Sequence, residues 1–270
     1  MSWFSNLLTF AVQKTPRSLK KAIHENRALE NASLAVYGYL LGRAPVAINS
    51  GPMQGLKLSP SKHTSHAHIR GDYELEIQLA IDRCVRPGDV CYDLGASIGY
   101  MSLLMARKAR HVFAFEPSPT AIAEIERQIA VNNFDNVTVV PTPVSDTVRE
   151  VRFCVTDQAY GSGINDRETR WPVLNLTATT LDLFAQTHPK PDFIKIDVEG
   201  EEGRVLEGAA SILQNQRPRI CCEVHSTAVA TEVAALLSRS GYDLATPTGD
   251  PFTIPNTVIA GELHLIATPR

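Results

Sequence analysis

Short apolar runs alternate with longer stretches of helical period along most of this chain. Val90–Asp93, Val112–Glu116 and Val137–Val140 are brief, largely apolar runs that end in turn residues or an acid. Such runs predict buried strands. Between them apolar residues recur three and four apart, which predicts a helix from Ile98 to about Lys108. A second helix is capped by Ser118, with Pro119 at its first position and Ile122, Ile125 and Ile129 down one face. Upstream, a helix from Asp72 to Val85 is stopped by Pro87-Gly88. Phe193–Val198 is almost continuously apolar, as expected of a parallel strand covered on both faces. After it come a helix carrying Val205, Leu206, Ala209, Ile212 and Leu213, a strand at Arg219–Val224 and a helix over 228–239. Tyr242–Leu244 and Leu263–Ala267 are expected to close the sheet as an edge pair. Residues 151–155 and 173–178 predict a β-hairpin around a long polar loop, 156–172. This alternation predicts an α/β fold, a doubly wound Rossmann-like sheet with helices on both faces. Residues 1–44 predict two or three helices ending before Pro45, and Gln54–Leu58 a short strand. The expected division is therefore a helical arm with a short strand, 1–69, and a ligand-binding domain, 70–270.

Composition changes this picture little. The 270 residues suit one large domain with an appendage, and 44% apolar with 20% charged residues is ordinary for a globular protein. A net charge of −3 gives no general surface for nucleic acid, although Lys14, Arg17, Lys20 and Lys21 form a small basic excess. Five cysteines show neither C-x-x-C nor zinc spacing, which points to a reducing cytoplasm. No apolar stretch reaches transmembrane length. Trp3, Phe4, Leu7, Leu8, Ala11 and Val12 have helical spacing rather than the form of a signal peptide. That stripe suits packing on its own domain or on a twin subunit in a homodimer better than contact with a membrane.

The chemistry gathers at two places. In Val90-Cys-Tyr-Asp-Leu-Gly-Ala-Ser-Ile-Gly-Tyr100 a strand ends in Asp93, and Gly95, Ala96, Ser97 and Gly99 turn into a helix. Twenty-one residues after Gly95, the second strand ends in Glu116, followed by Pro117. A glycine turn lets a ligand approach the backbone, and an acid ending the second strand can hold ribose hydroxyls. The pair predicts a nucleoside-bearing cofactor. A dinucleotide loop would place glycines where Ser97 and Tyr100 stand, and Asp93 would repel a pyrophosphate. S-adenosylmethionine carries cations and no phosphate, and it suits Asp-x-Gly-Ala-x-x-Gly better. The second place is Asp192–Glu202, with acids at 197, 199, 201 and 202 around a strand end. Lys195 and Asp197 share one strand face, as do Glu223 and His225 on the next strand, giving a four-residue polar constellation. His63, His66 and His68 are expected in a polar loop that suits acceptor contact better than a metal. In the 156–172 loop, Tyr160, Gly161, Gly163 and Trp171 suit a cover for the acceptor. A nicotinamide-dependent oxidoreductase and a non-catalytic nucleoside-binding module are the alternatives.

Ile194-Lys-Ile-Asp-Val-Glu-Gly-Glu-Glu202 followed by Val205-Leu-Glu-Gly208 resembles the signature of FkbM-type S-adenosylmethionine-dependent methyltransferases. The likeness includes Tyr73-Glu74, Asp93–Gly99, Glu116-Pro117-Ser118, Asn132-Asn133, Val144-Ser145-Asp146, Thr180-Leu181-Asp182 and Glu223-Val224-His225. It implies a class I methyltransferase sheet and O-methylation of a small molecule or sugar. Glu74, Asp93, Gly95, Ala96, Ser97, Gly99, Glu116, Pro117, Ser145 and Asp197 are the implied cofactor residues. An acceptor hydroxyl must lose its proton during transfer, and His225 titrates in the right range. His225 is thus the expected base, oriented by Asp197 or Glu223, with Lys195 completing the constellation. A divalent metal on Asp197 or Glu199 is the rival means of acidifying the hydroxyl. No complete ligand set is visible, so no metal is expected.

Overall fold

A computed structural model describes residues 44–156, 161–165, 169–253 and 263–270. The expected helices of the arm and the stripe from Trp3 to Val12 lie outside the described residues. The chain divides between Tyr73 and Glu74 into two compact units.

In the first unit Val46–Ala47 (β1) pairs antiparallel with Lys57–Leu58 (β2), so the expected strand at Gln54–Leu58 shrinks to its last two residues. The polar segment around His66 is not a loop. His66–Arg70 (α1) is a short helix capped by Ser65, whose hydroxyl accepts from the His68 N–H while His68 Nδ1 accepts from the Ser65 N–H. A histidine thus stands where a capping box usually has Glu or Gln. The His68 ring is buried and stacks on Tyr73 at 3.9 Å. Burial lowers its pKa to about 4, so the ring is neutral and serves the fold.

The second unit begins with Leu75–Cys84 (α2), shorter than its sequence pattern predicts because residues 72–74 precede it as turn. Val90–Leu94 (β3), Tyr100–Ala106 (α3), His111–Phe115 (β4), Pro119–Asn132 (α4) and Val137–Val140 (β5) follow as two parallel crossovers. Arg149–Cys154 (β6), Gly163–Ile164 (β7) and Val173–Ala178 (β8) form a separate antiparallel sheet in the order β7-β6-β8. The hairpin is as expected, but the supposed loop contributes a strand to it. Leu181–Phe184 (α5), Phe193–Ile196 (β9), Glu202–Glu207 (α6), Arg219–Val224 (β10), Thr227–Arg239 (α7), Tyr242–Ala245 (β11) and Leu263–Pro269 (β12) complete the chain. The expected single helix through Val205 and Leu213 is instead α6 and a separate π-helical turn, Ile212–Gln216. Gly208 lies at the break, where a Cβ would stand 2.2 Å from the Ser145 carbonyl oxygen.

The main sheet has seven strands in the order β11-β12-β10-β9-β3-β4-β5. β3, β4, β5, β9 and β10 are parallel, and β12 runs antiparallel to both neighbours. This is the doubly wound sheet that the alternation predicts. Every residue of β3 is buried, as are those of β9, because helices cover both faces. Tyr92, Phe115 and Phe184 interlock on one side, with ring centroids 4.8–5.6 Å apart. The chain runs outward from β3 to β4 and β5, then returns to β9 on the other side. Strand order reverses between β3 and β9, and ligands of such sheets bind beyond the carboxyl ends at that point.

Candidate active site

Two loops meet at the switch point. Gly95 ends β3 with φ +73, and a Cβ there would lie 1.8 Å from the carbonyl oxygen of Asp197, which follows β9. Only glycine permits both the conformation and the approach. The Gly95 and Ala96 N–H groups both donate to the Phe115 carbonyl at 3.0 Å, holding the turn against β4. Ser97 adopts φ +51 and donates its N–H to Glu116 Oε2 at 2.9 Å. Ser118 N–H donates to Oε1 of the same carboxylate at 2.8 Å. Glu116 therefore ties the first loop to the second, and each oxygen keeps a lone pair for a ligand hydroxyl. Burial pushes its pKa up to about 7 despite these two donors. Gly99 (φ +83) caps α3 and packs on Ile125, where a Cβ would meet the side chain at 3.2 Å. Gly95, Glu116, Pro117, Val144, Ile164 and Asp197 line a cleft beside this turn.

The remaining expected cofactor residues stand back from it. Asp93 is fully buried, accepts a hydrogen bond from the Ser102 hydroxyl and lies 3.7 Å from Lys195 Nζ. Its pKa is raised by burial, because Lys195 makes its shorter contacts elsewhere: Asp197 Oδ2 at 3.0 Å and the Gly95 carbonyl at 3.2 Å. Burial alone would lower the lysine pKa, but Asp197 and Asp93 outweigh it and hold Lys195 charged. Lys195 thus stands as a cation between Asp93, Asp197 and the Gly95 carbonyl, and Asp93 does not itself reach the glycine turn. Ser145 is fully buried behind Val144 and donates to Asp146 Oδ1 at 2.9 Å. Glu74 precedes α2 with φ 45 and clusters with Glu223 and His264.

The second cluster surrounds His225. Residue pairing between β9 and β10 sets Ile196 opposite Cys222, so the strand ends deliver Asp197 and Glu223 side by side. His225 Nε2 is 3.4 Å from Glu223, 3.6 Å from Glu199 and 3.7 Å from Asp197. Its Nδ1 faces Glu202 Oε1 at 3.1 Å. Burial would lower the pKa of the ring, but hydrogen bonds to Glu202 and Glu223 and the charges of Glu202 and Glu199 hold it up at about 11. Burial would likewise raise Glu223; its bonds to His225 and to His264 at 2.9 Å take it well below the usual carboxylate range. Among the described residues two triads lie close enough to share a cation, Asp197–Glu223–His225 and Glu74–Glu223–His264. In the first, the His225 ring is held protonated beside Glu223, so a ring proton supplies the neutralising charge; in the second, His264 Nε2 shares a hydrogen bond with Glu223 at 2.9 Å. His63, His66 and His68 belong to neither.

The sequence placed Lys195, Asp197, Glu223 and His225 together, and the structure does so. It left two partners out. Glu202 was one acid in a run of acids, with nothing to mark it as fully buried. His264 sits opposite Glu223 in the β12 register, a pairing visible only once β12 is known to insert beside β10.

A glycine turn tied to a buried acid, beside a protonatable cluster, thus stands at the switch point of the sheet. The family profile described as the methyltransferase FkbM domain matches residues 93–244, from Asp93 through both clusters into β11. The chain belongs to the FkbM methyltransferase family. Among curated relatives, this FkbM-family protein is similar to hexuronic acid methyltransferase AglP of Haloferax volcanii, 29% identical over 64% of this chain and 70% of that protein. It is also similar to 31-O-demethyl-FK506 methyltransferase FkbM of Streptomyces tacrolimicus, 28% identical over 82% and 98%. A solved structure of a methyltransferase FkbM from Methylobacillus flagellatus aligns at 15% identity and a TM-score of 0.45, covering 76% of this chain and 55% of that one. Membership of the FkbM family sets aside the oxidoreductase alternative. Among the described residues no helix is long and apolar enough to cross a membrane.

Proposed function

We propose that this methyltransferase draws its methyl group from S-adenosylmethionine and delivers it to a hydroxyl of a small molecule or sugar. The observation that carries this reading is Glu116. Its carboxylate lines the cleft next to a glycine turn whose Gly95, Ala96 and Ser97 N–H groups are already bonded within the protein, which leaves none of the three for a pyrophosphate. The names of the relatives, one acting on a hexuronic acid and one at an oxygen, support the acceptor class.

Gly95 and Glu116 would hold the nucleoside, with Pro117, Val144 and Ile164 as its apolar wall. The bound cofactor supplies an electrophilic methyl group. The protein's own contribution is alignment, which can account for much of such a displacement, and removal of the hydroxyl proton. His225, flanked by Asp197, Glu199 and Glu223, takes that proton in the molecules whose ring is neutral, a fraction that grows with pH, so the rate should rise on the alkaline side. Because the carboxylates hold the ring protonated at neutral pH, each positive charge entering the crevice lowers its pKa by giving them another cation to face. The acceptor side is proposed to draw on residues 1–69 and the 156–172 segment, with residues 70–270 as the methyltransferase domain.

Calorimetric titration with S-adenosylhomocysteine should show one site and titration with NAD none; the reverse would overturn the reading. Labelled methyl transfer to a panel of neutral sugars, hexuronic acids and polyketide alcohols then identifies the acceptor. In His225→Ala turnover should collapse with S-adenosylhomocysteine affinity little changed, and the alkaline rise in rate should vanish. Turnover that survives in the variant but disappears with a chelator would replace the base with a metal.

A further inference from the structure

The acid run at 197–202 contains one fully buried member. Glu202 is fully buried, and a single oxygen, Oε1, receives the Val198 N–H at 3.3 Å, the Gly200 N–H at 3.0 Å and His225 Nδ1 at 3.1 Å. Its other oxygen is buried with no hydrogen-bond partner. Two backbone N–H groups could be accepted equally well by a glutamine amide oxygen. The negative charge needs a different reason, since an unpaired buried carboxylate is costly. Among the described residues His225 is the cationic group within ion-pair distance of it.

We propose that Glu202 is a positioning residue for methyl transfer: it fixes His225 with Nδ1–H turned inward and Nε2 presented to the acceptor. The proposal rests on His225 being the base. The same carboxylate clamps Val198–Gly200, where Glu199 is held at φ +57 and its own carboxylate reaches the Gly161 N–H at 2.5 Å. One side chain therefore sets both the ring and the acids around it. The groups facing the ring are Asp197 and Glu199 after β9, Glu202 on α6 and Glu223 on β10, with Lys195, His264 and Glu74 next to these. Glu202 alone among the four carboxylates meets Nδ1.

The test is Glu202→Gln, which keeps size and an acceptor oxygen but removes the charge. Histidine-resolved NMR on the full chain, with the His225 signal assigned by its loss in His225→Gln, reads the ring directly. The ring titration should move towards neutrality by about two pH units, a shift of the size one adjacent charge causes. S-adenosylhomocysteine affinity should stay within a few-fold, while the alkaline rise in kcat moves down by the same two units and the plateau above it falls about tenfold, the base being weaker, with little change in acceptor KM. In a His225→Gln background the same substitution should cost no further kcat, because the effect passes through the ring. A ring titration and kcat that stay put while the melting temperature drops would make Glu202 a structural clamp and overturn the proposal. If Glu202→Gln does not fold, the wild-type spectrum decides: Nδ1 must carry the hydrogen-bonded proton, and a ring protonated only on Nε2 overturns it. Failure of the wild type to bind S-adenosylhomocysteine would instead defeat the cofactor reading and leave the NMR arm intact.

Discussion

Glu116 holds two loops together with one carboxylate, and in the proposed reading the same group offers its remaining lone pairs to a ribose. Its replacement should therefore be felt by the cofactor before the fold. Hydrogen bonds to a charged group are worth about 1.5–3 kcal/mol, so Glu116→Ala should raise the S-adenosylhomocysteine dissociation constant about tenfold or more. Its raised pKa adds a pH signature. Above about 7 the carboxylate is charged and accepts; below, a growing neutral fraction loses an acceptor site. Affinity in the wild type should fall from about pH 8 to about pH 6, and calorimetry on Glu116→Ala should show no such slope. Gly95 is tested by contrast with Gly88. Both have φ near +80, but a Cβ at Gly88 meets open space whereas one at Gly95 meets the Asp197 carbonyl. Gly88→Ala should cost about 1–2 kcal/mol for its backbone conformation alone. Gly95→Ala should lower the melting temperature further and abolish cofactor binding, as thermal shift with and without S-adenosylhomocysteine would show.

Among the elements, α7 shows how local chemistry aims the site. Ser226 caps it by accepting from Val229 N–H at 3.2 Å, and the residue just before that cap is His225. Removing such a cap costs about 1 kcal/mol. Ser226→Ala should thus lower the melting temperature by about 2–4 °C in a domain of this size, with cofactor affinity unchanged. The strands of the main sheet were legible because buried parallel strands are almost wholly apolar: β9 carries a single lysine, and β10 keeps its polar residues near its ends. The Gly95 turn and Glu116 were legible because their chemistry needs those residue types in that order. Other elements left no such trace. α1 is five residues long, too short for a period, and its cap uses a histidine. β7 has two residues and exists only by pairing with β6. The break after α6 follows from Gly208 lying against the Ser145 backbone, a contact between distant segments that no local pattern encodes.

At the scale of the whole molecule, the chain divides between Tyr73 and Glu74, and the cleft residues named above belong to the second unit. Deleting residues 1–44 should leave a folded protein that binds S-adenosylhomocysteine within a few-fold. It should lose acceptor affinity, self-association or both, as light scattering and turnover assays would reveal. An insoluble product, or one unable to bind cofactor, would move the boundary. The placing of β12 has a consequence for the order in which this enzyme is made. β12 lies between β10 and β11 in space but follows both in the chain. A ribosome therefore releases β10 and β11 before the strand that joins them exists. Until then β10 shows a bare edge and Glu223 meets no His264, while β3, β4 and β5 already have all their partners except time to pair. The nascent chain can build the nucleoside end of its sheet first and the proton chemistry last. Pulsed hydrogen exchange during refolding should show the same sequence of events, with amides of β3 and β4 protected before those of β12.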